Sequence, residues 1–246
     1  MTTPSLPPVY RPIVLGGRED PFAHAQKAAA AGAADGTLVW SRRPDRFDCA
    51  VILAPDAPLG SSLRVSYVAL LGLGDALGTL APPVTAVTFG WPDRLEVNGA
   101  TAGGVRLAAA EADDSGDAVP AWMVVGATVA ISNESEDEEP GRDLARTTLR
   151  DEGCGEIEAA ALLESFGRHF LAWVNRWQED GFGPVREAWL NRAAARGQPV
   201  EFDLAGESLS GTFAGLDEAG GLLLVEAART RTVPLTPALS AASWSL

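Results

Sequence analysis

The chain has 246 residues, with 19 Lys and Arg against 33 Asp and Glu and a formal net charge of -14. At about 100–200 residues per domain, this length allows one large domain or a medium one plus a small one, and the 46% hydrophobic content is enough for a sizeable core. The negative balance argues against nucleic acid, whose phosphates need clustered Lys and Arg, and no apolar run approaches the about 18 residues of a membrane span.

Residues 1–18 are rich in proline and poorly periodic, which predicts an extended lead-in. Asp20 followed by Pro21 predicts a helix start, since Asp is a good N-cap and Pro suits the first helical position. That helix runs from Phe22 to Ala34 and ends at Asp35-Gly36. A strand over Thr37–Trp40, the basic loop Ser41–Arg46 and a strand over Cys49–Ala54 follow. From Leu63 to Leu80 the apolar residues recur every three or four positions, as in a buried helix. Val84–Phe89 reads as a strand. Leu95-Glu96-Val97, Asn98-Gly99 and Gly104–Ala108 form a hairpin with the strongest short turn signal. Trp122–Ile131 is a further strand, broken by the acidic run 134–139, which reads as a solvated loop. Glu156–Asp180 is a long amphipathic helix whose inner face carries Leu162, Leu163, Phe166, Phe170, Trp173, Val174 and Trp177. Gly181-Phe182-Gly183-Pro184 ends it, and a short helix spans Val185–Ala195. After Gly197 come four short strands, Val200–Leu204, Ser208–Leu216, Gly221–Glu226 and Arg229–Leu235, which indicate a small barrel. The expected domains are 1–195 and 196–246.

The N-terminus lacks the basic start and apolar run of a secretory signal, so the expected compartment is cytoplasmic. Two cysteines, Cys49 and Cys154, cannot build a disulfide framework or a four-thiolate zinc site, and the two histidines, His24 and His169, are too few for most metal sites. No metal site is expected. Of the 19 basic residues 18 are arginine, and Lys27 is the sole lysine. Chemistry that needs a lysine ammonium must use Lys27 or do without.

Several stretches, in order, resemble the biotin/lipoate protein ligase family. They are Trp91-Pro92-Asp93-Arg94-Leu95, Val97-Asn98-Gly99, Ala102-Gly103-Gly104-Val105, Trp122–Ala127, and Trp177-Gln178-Glu179-Asp180-Gly181-Phe182-Gly183-Pro184 with Trp189 after it. Residues 197–246, including Gly215-Leu216-Asp217 and Gly220-Gly221-Leu222-Leu223-Leu224, resemble the family's C-terminal SH3-like barrel. The resemblance implies an α/β (α+β) fold with a mixed sheet and a small barrel packed behind it. It also implies recognition of a biotin-, lipoate- or fatty-acyl-type carboxylate, with ATP and Mg as cofactors if the chain is an active ligase. A biotinyl or lipoyl carrier domain would then be the protein partner, and a homodimer is compatible with this reading. No winged-helix segment is recognisable, so the DNA-binding repressor form of the family is not expected.

The departures from the family pattern bear on chemistry. An acyl-adenylate brings a carboxylate against a phosphate, and a fixed cation there gives the electrostatic stabilisation such catalysis needs. Typical ligases carry that lysine before Trp-Pro, where this chain has Gly90. Arginine clamps phosphate but differs from lysine in shape and reach. Arg94, Arg106 and the loop residues Arg42, Arg43 and Arg46 are the candidates to replace it, and the loop residues are equally explained as solvated charges paired with Asp45 and Asp48. The resemblance places a ligand among Trp40, Arg42, Arg43, Trp91, Asp93, Gly103, Gly104 and Gly126. Glu152-Gly153-Cys154-Gly155 resembles the Pro-Cys-Gly of lipoyl transferases, and a thiolate at Cys154 would form an acyl-thioester without ATP. A small buried hydrophobe is the other reading of that cysteine. Three functions therefore stand at this stage. They are a ligase-like acyl-carboxylate protein using Arg94 or Arg43, a Cys154 transferase, and a non-catalytic binding or regulatory pseudo-ligase.

Overall fold

The computed structural model describes residues 4–110, 118–133, 144–204, 207–227, 229–236 and 242–246. The acidic run expected to form a loop at 134–139 lies outside them.

Asp20 caps the first helix as its sequence predicts: its side chain accepts from the Phe22 N–H at 2.8 Å, and Pro21 opens the helix α1 (Pro21–Ala30). The strands β2 (Thr37–Ser41), β3 (Arg46–Leu53), β4 (Val87–Gly90), β5 (Arg94–Val97), β6 (Ala100–Ala109) and β7 (Met123–Ala130) join one more, β1 (Arg11–Leu15), in a seven-stranded sheet ordered β1-β2-β3-β7-β6-β5-β4. Strand β1 lies in the segment expected to be a lead-in. It is an edge strand, parallel to β2, with four of its five residues exposed. A half-empty edge of this kind carries little hydrophobic alternation for a sequence pattern to show. The remaining neighbours pair antiparallel, and Asn98-Gly99 turns β5 into β6 with both residues at positive φ, 50° and 92°.

Alternation along the strands sorts the sheet into two faces. Leu38, Trp40, Phe47, Cys49, Val51, Val105, Val125, Ala127 and Val129 belong to the larger core. Helices α3 (Val65–Leu80), preceded by the single turn α2 (Leu59–Ser62), and α4 (Ala159–Asp180) cover that side. Val39, Ala50, Ile52 and Val124 face the other way, against Ala25 and Ala29 of α1. Leu59–Leu80 is long and apolar enough, by length and composition alone, to cross a membrane, but 72% of its most apolar 18-residue window is buried inside the protein. Its apolar character runs nearly all round because the sheet lies on one side and α4 on the other.

Along α4, Leu162, Leu163, Phe166 and Phe170 are buried, whereas Trp173, Val174 and Trp177 are only partly so. Trp173, expected on the inner face, lies at its edge. Its indole N–H donates to Asp75 Oδ2 at 2.7 Å, and Arg192 donates to the other oxygen of that carboxylate at 2.6 Å. Helix α5 (Phe182–Leu190) starts at Phe182, three residues earlier than expected, and carries the fully buried Trp189. The four C-terminal strands, β8 (Pro199–Leu204), β9 (Glu207–Leu216), β10 (Leu222–Glu226) and β11 (Arg229–Val233), form a separate antiparallel sheet ordered β11-β10-β9-β8. Trp189 joins the two sheets, stacked on Phe89 of β4 at 6.1 Å and tilted against Phe213 of β9 at 6.2 Å.

Candidate functional site

The site lies on the α1 side of the sheet, where strand alternation leaves polar residues beyond the end of the helix. Asp48 on β3 and Thr128 on β7 are cross-strand partners, and the Thr128 hydroxyl donates to Asp48 Oδ1 at 3.0 Å. One strand further, Arg106 on β6 reaches within 3.8 Å of the same oxygen and donates to both oxygens of Asp20 at 3.2 and 3.4 Å. Asp20 is thus both the cap of α1 and a partner of Arg106. The Arg106 guanidinium also lies 4.6 Å from the centre of the Phe22 ring. That ring rests on Gly126, where an added Cβ would come within 2.7 Å of it.

Burial raises the Asp48 carboxyl from 3.8 to about 6, against the pull of Arg106 and Thr128, with the Asp20 charge adding to the rise. Ser41 is the next residue on β2 after the Trp40–Cys49 pair, which sets it beside Asp48 on this face. Ser41 is fully buried, and its hydroxyl has no hydrogen-bond partner among the described residues. Asp48, Thr128, Arg106, Arg43 and Arg46, with Arg18, Glu19 and Asp20 at the mouth, line a cavity of about 280 Å³. Its remaining wall comes from the far end of the chain, Ala242 and Trp244–Leu246.

The residues singled out in the sequence divide between the faces. Arg43 lines the cavity, with its guanidinium forked onto Asp45, which holds that carboxyl below its ordinary range. Asp93 is buried at the start of β5 and accepts from the Ser243 amide at 3.0 Å and from the Ser243 hydroxyl. Burial pushes it up to about 6, with the two Ser243 hydrogen bonds and Arg94 pulling down. Gly104 lies under the Trp244 indole, which an added Cβ would meet at 2.3 Å. At Gly103 a Cβ would meet the Thr128 carbonyl at 2.0 Å, so this glycine serves strand contact. Trp40 is elsewhere: it points into the helix-side core at 3% exposure, and Arg42 covers it with the guanidinium 5.9 Å from the ring. Trp91 also lies apart from the cavity lining; it donates to the Tyr67 hydroxyl at 2.9 Å and packs on Phe202 of β8. Lys27 is exposed on α1 and is absent from the cavity wall.

At the position of the family's lysine, Arg94 fills the space. Its guanidinium atoms lie 2.5–2.9 Å from where a Cβ on Gly90 would stand, and its Nε donates to Glu96 at 3.1 Å. Cys154 is 1% exposed within the larger core, with its thiol 3.5 Å from the Thr85 hydroxyl and 3.7 Å from the Glu152 carbonyl. A nucleophile has to reach its substrate, and this thiol is enclosed. Cys154→Ala is expected to cost about 1 kcal/mol of stability through lost burial and to leave ligand binding unchanged. An acyl adduct on the wild type that is lost in this variant would restore the transferase reading.

Three features of the site carried no usable signal in the sequence. Asp48 was left outside a strand because the strand was expected to begin at Cys49, three residues after β3 starts at Arg46. Ser41 was read as part of the basic loop. The segment 242–246 has no periodicity and no charge. Among the described residues no group of three or more His, Cys, Asp or Glu is placed to hold a metal ion.

Residues 6–191 match the sequence model of the Biotin/lipoate A/B protein ligase family, and residues 196–235 match that of the Biotin protein ligase C terminal domain. A biotin--[acetyl-CoA-carboxylase] ligase of Paracoccus denitrificans is 29% identical over 196 residues, which cover 79% of this chain and 80% of that protein. Among solved structures, a biotin protein ligase-like protein of unknown function from Silicibacter sp. TM1040 superposes with a TM-score of 0.86 at 36% identity, covering 96% of this chain and 99% of that one. The Aquifex aeolicus biotin protein ligase in complex with biotin and ATP shares the fold, with a TM-score of 0.70 at 16% identity, covering 91% of this chain and 95% of that one. This chain belongs to the biotin/lipoate A/B protein ligase family.

Proposed function

We propose that the chain is a ligase-like protein that binds a small acid of the biotin, lipoate or fatty-acyl type in the cavity on the α1 side. Its carboxylate would be directed at the arginines. The convergence of Arg43, Arg46 and Arg106 on one polar cavity carries this reading. Guanidinium groups fit carboxylates in a forked geometry that ammonium groups lack. The Thr128 hydroxyl and Asp48 supply polar groups for the rest of the ligand. The biotin named in the Paracoccus and Aquifex proteins supports this substrate class. We place the division of the chain at 195/196, between the two family matches and before the second sheet. A cytoplasmic setting accords with two free, buried cysteines.

Transfer of the acid to a biotinyl or lipoyl carrier domain would require ATP, with Mg arriving on the nucleotide phosphates, since the described residues offer no metal cluster. Arg94, over Gly90, is the residue best placed to supply the missing cation. A second reading, binding without transfer, is favoured by one observation. The arginines are already matched to carboxylates: Arg94 to Glu96, Arg43 to Asp45, and Arg106 to Asp20 and Asp48. A cation compensated in this way stabilises a developing anion less than an uncompensated one.

Thermal melts with biotin, lipoate and octanoate, each with and without Mg-ATP, test the reading. An acid at 100 times its dissociation constant adds about 2.7 kcal/mol of stability. Arg106→Gln is expected to weaken that acid at least tenfold, whereas Arg42→Gln, on the Trp40 side, leaves it unchanged. Pyrophosphate release with Mg-ATP separates the ligase from the binder. If no acid shifts the melt, the proposed substrate class is wrong.

A further inference from the structure

The segment 242–246 lies against β6 and the residue before β5 and forms part of the cavity wall. Ser243 places both its amide and its hydroxyl on the Asp93 carboxylate, and the Trp244 indole N–H donates to the Val105 carbonyl at 3.2 Å. The indole lies directly on Gly104, where any side chain would collide with it. Three polar anchors and one aromatic ring thus hold the segment on β6 and the start of β5, about 140–150 residues away in sequence. With the segment in place the cavity has a volume of about 280 Å³, just under the roughly 300–1,000 Å³ of ordinary small-molecule sites. A small acid is the most this space takes, and ATP does not fit beside it.

We infer that residues 242–246 are a built-in strap that walls one side of the cavity and must leave the sheet before acid and ATP bind together. The inference rests on the acid- and nucleotide-binding reading above. The strap is suited to this task because it is short, it is held at few points, and its anchors on Asp93, Gly104 and Val105 place Ala242 and Trp244–Leu246 in the cavity wall. Segments with few buried contacts open at low cost relative to global unfolding. A ligand that binds only the open form has its apparent affinity reduced by the open fraction. Asp93 and Gly104 would then serve two occupants in turn, the strap in the free protein and the ligand in the loaded one.

The test compares the full-length protein with Trp244→Ala and the milder Ser243→Ala, using biotin together with Mg-ATP as the probe in titration calorimetry. Both variants are expected to bind the probe at least fivefold more tightly than wild type, while Ser208→Ala, exposed on β9 and absent from the cavity lining, leaves affinity unchanged. Amide exchange at Ser243, slow in the free wild type, is expected to become fast when the probe is added. Equal affinity in all proteins would mean that the segment is an inert cover, and weaker binding in the variants would mean that it is a wall of the site. Either result overturns the strap. If no protein binds biotin or Mg-ATP while all remain folded by their melts, the acid and nucleotide reading fails and the strap fails with it. A wild type that binds the probe with its Ser243 amide still protected sinks the strap alone.

Discussion

Trp189→Ala is expected to lower stability by about 3–5 kcal/mol, the range for truncating a large buried aromatic. For a protein of this size that corresponds to a fall in melting temperature of about 6–20 °C. The indole is fully buried and is the packing link between the two sheets. Tyr67 of α3 meets it edge-on at 5.1 Å, Phe89 stacks on it at 6.1 Å and Phe213 leans on it at 6.2 Å. Tyr67 in turn donates its hydroxyl to the Gly220 carbonyl, and Arg64 reaches the Ala219 carbonyl at 3.3 Å, so loss of the indole loosens the turn between β9 and β10 as well. Trp189→Phe provides the contrast. The indole N–H has no hydrogen-bond partner among the described residues, and an unsatisfied buried donor costs about 1–3 kcal/mol. Phenylalanine removes that cost while keeping a ring on Phe89, so it should stay within about 1 kcal/mol of wild type. Urea unfolding of the two variants checks this, and equal losses for alanine and phenylalanine would refute the proposed linking role.

Acidification from pH 7 to about 5 is expected to stabilise the protein. Asp48 and Asp93 titrate near 6 in the folded chain because both are buried, and near 3.8 once exposed. Between those values the folded state holds protons that the unfolded state has released, so stability rises as pH falls through 6 and levels off near 3.8. Above 6 both carboxylates are ionised and buried, and the penalty is fully present. A displacement of this size corresponds to about 3 kcal/mol for each group, as an upper bound. The groups facing Asp48 are Asp20, Arg46, Arg106 and Thr128, and those facing Asp93 are Arg94 and Ser243. Asp45, which lies below its ordinary value through its bond to Arg43, acts in the opposite sense and only at lower pH. Asp48→Asn and Asp93→Asn should each flatten the profile. Denaturant unfolding between pH 4.5 and 7.5 decides the matter, and stability that climbs towards pH 7.5 would contradict the burial of these two carboxylates.

Both predictions concern groups whose identity is plain in the sequence and whose surroundings are not. Trp189 was legible as a packing residue because it follows a glycine-rich helix end in a segment of family-like wording. Asp48 was legible only as a loop acid beside arginines. Its burial follows from pairing with Thr128, 80 residues away, and no local pattern carries that information.

By itself the sequence determined the features that a few neighbouring residues control. Asp20-Pro21 starts α1, Asn98-Gly99 turns the hairpin with positive φ at both positions, and glycine stands at position 90, where the resemblance implies a lysine. Capping, turn chemistry and side-chain identity are short-range and need no partner from elsewhere in the chain. Only the tertiary structure decided which arginines share a cavity. Arg42 and Arg43 are adjacent in sequence, yet one covers Trp40 and the other lines the α1-side cavity. Both lie in the loop between β2 and β3, and how that loop packs against the rest of the chain, rather than any local pattern, decides which side each one reaches. The enclosure of Cys154 and the return of Ser243 and Trp244 onto Asp93 and Gly104 were decided in the same way. Both depend on contacts between distant segments, which form only when the whole chain is packed.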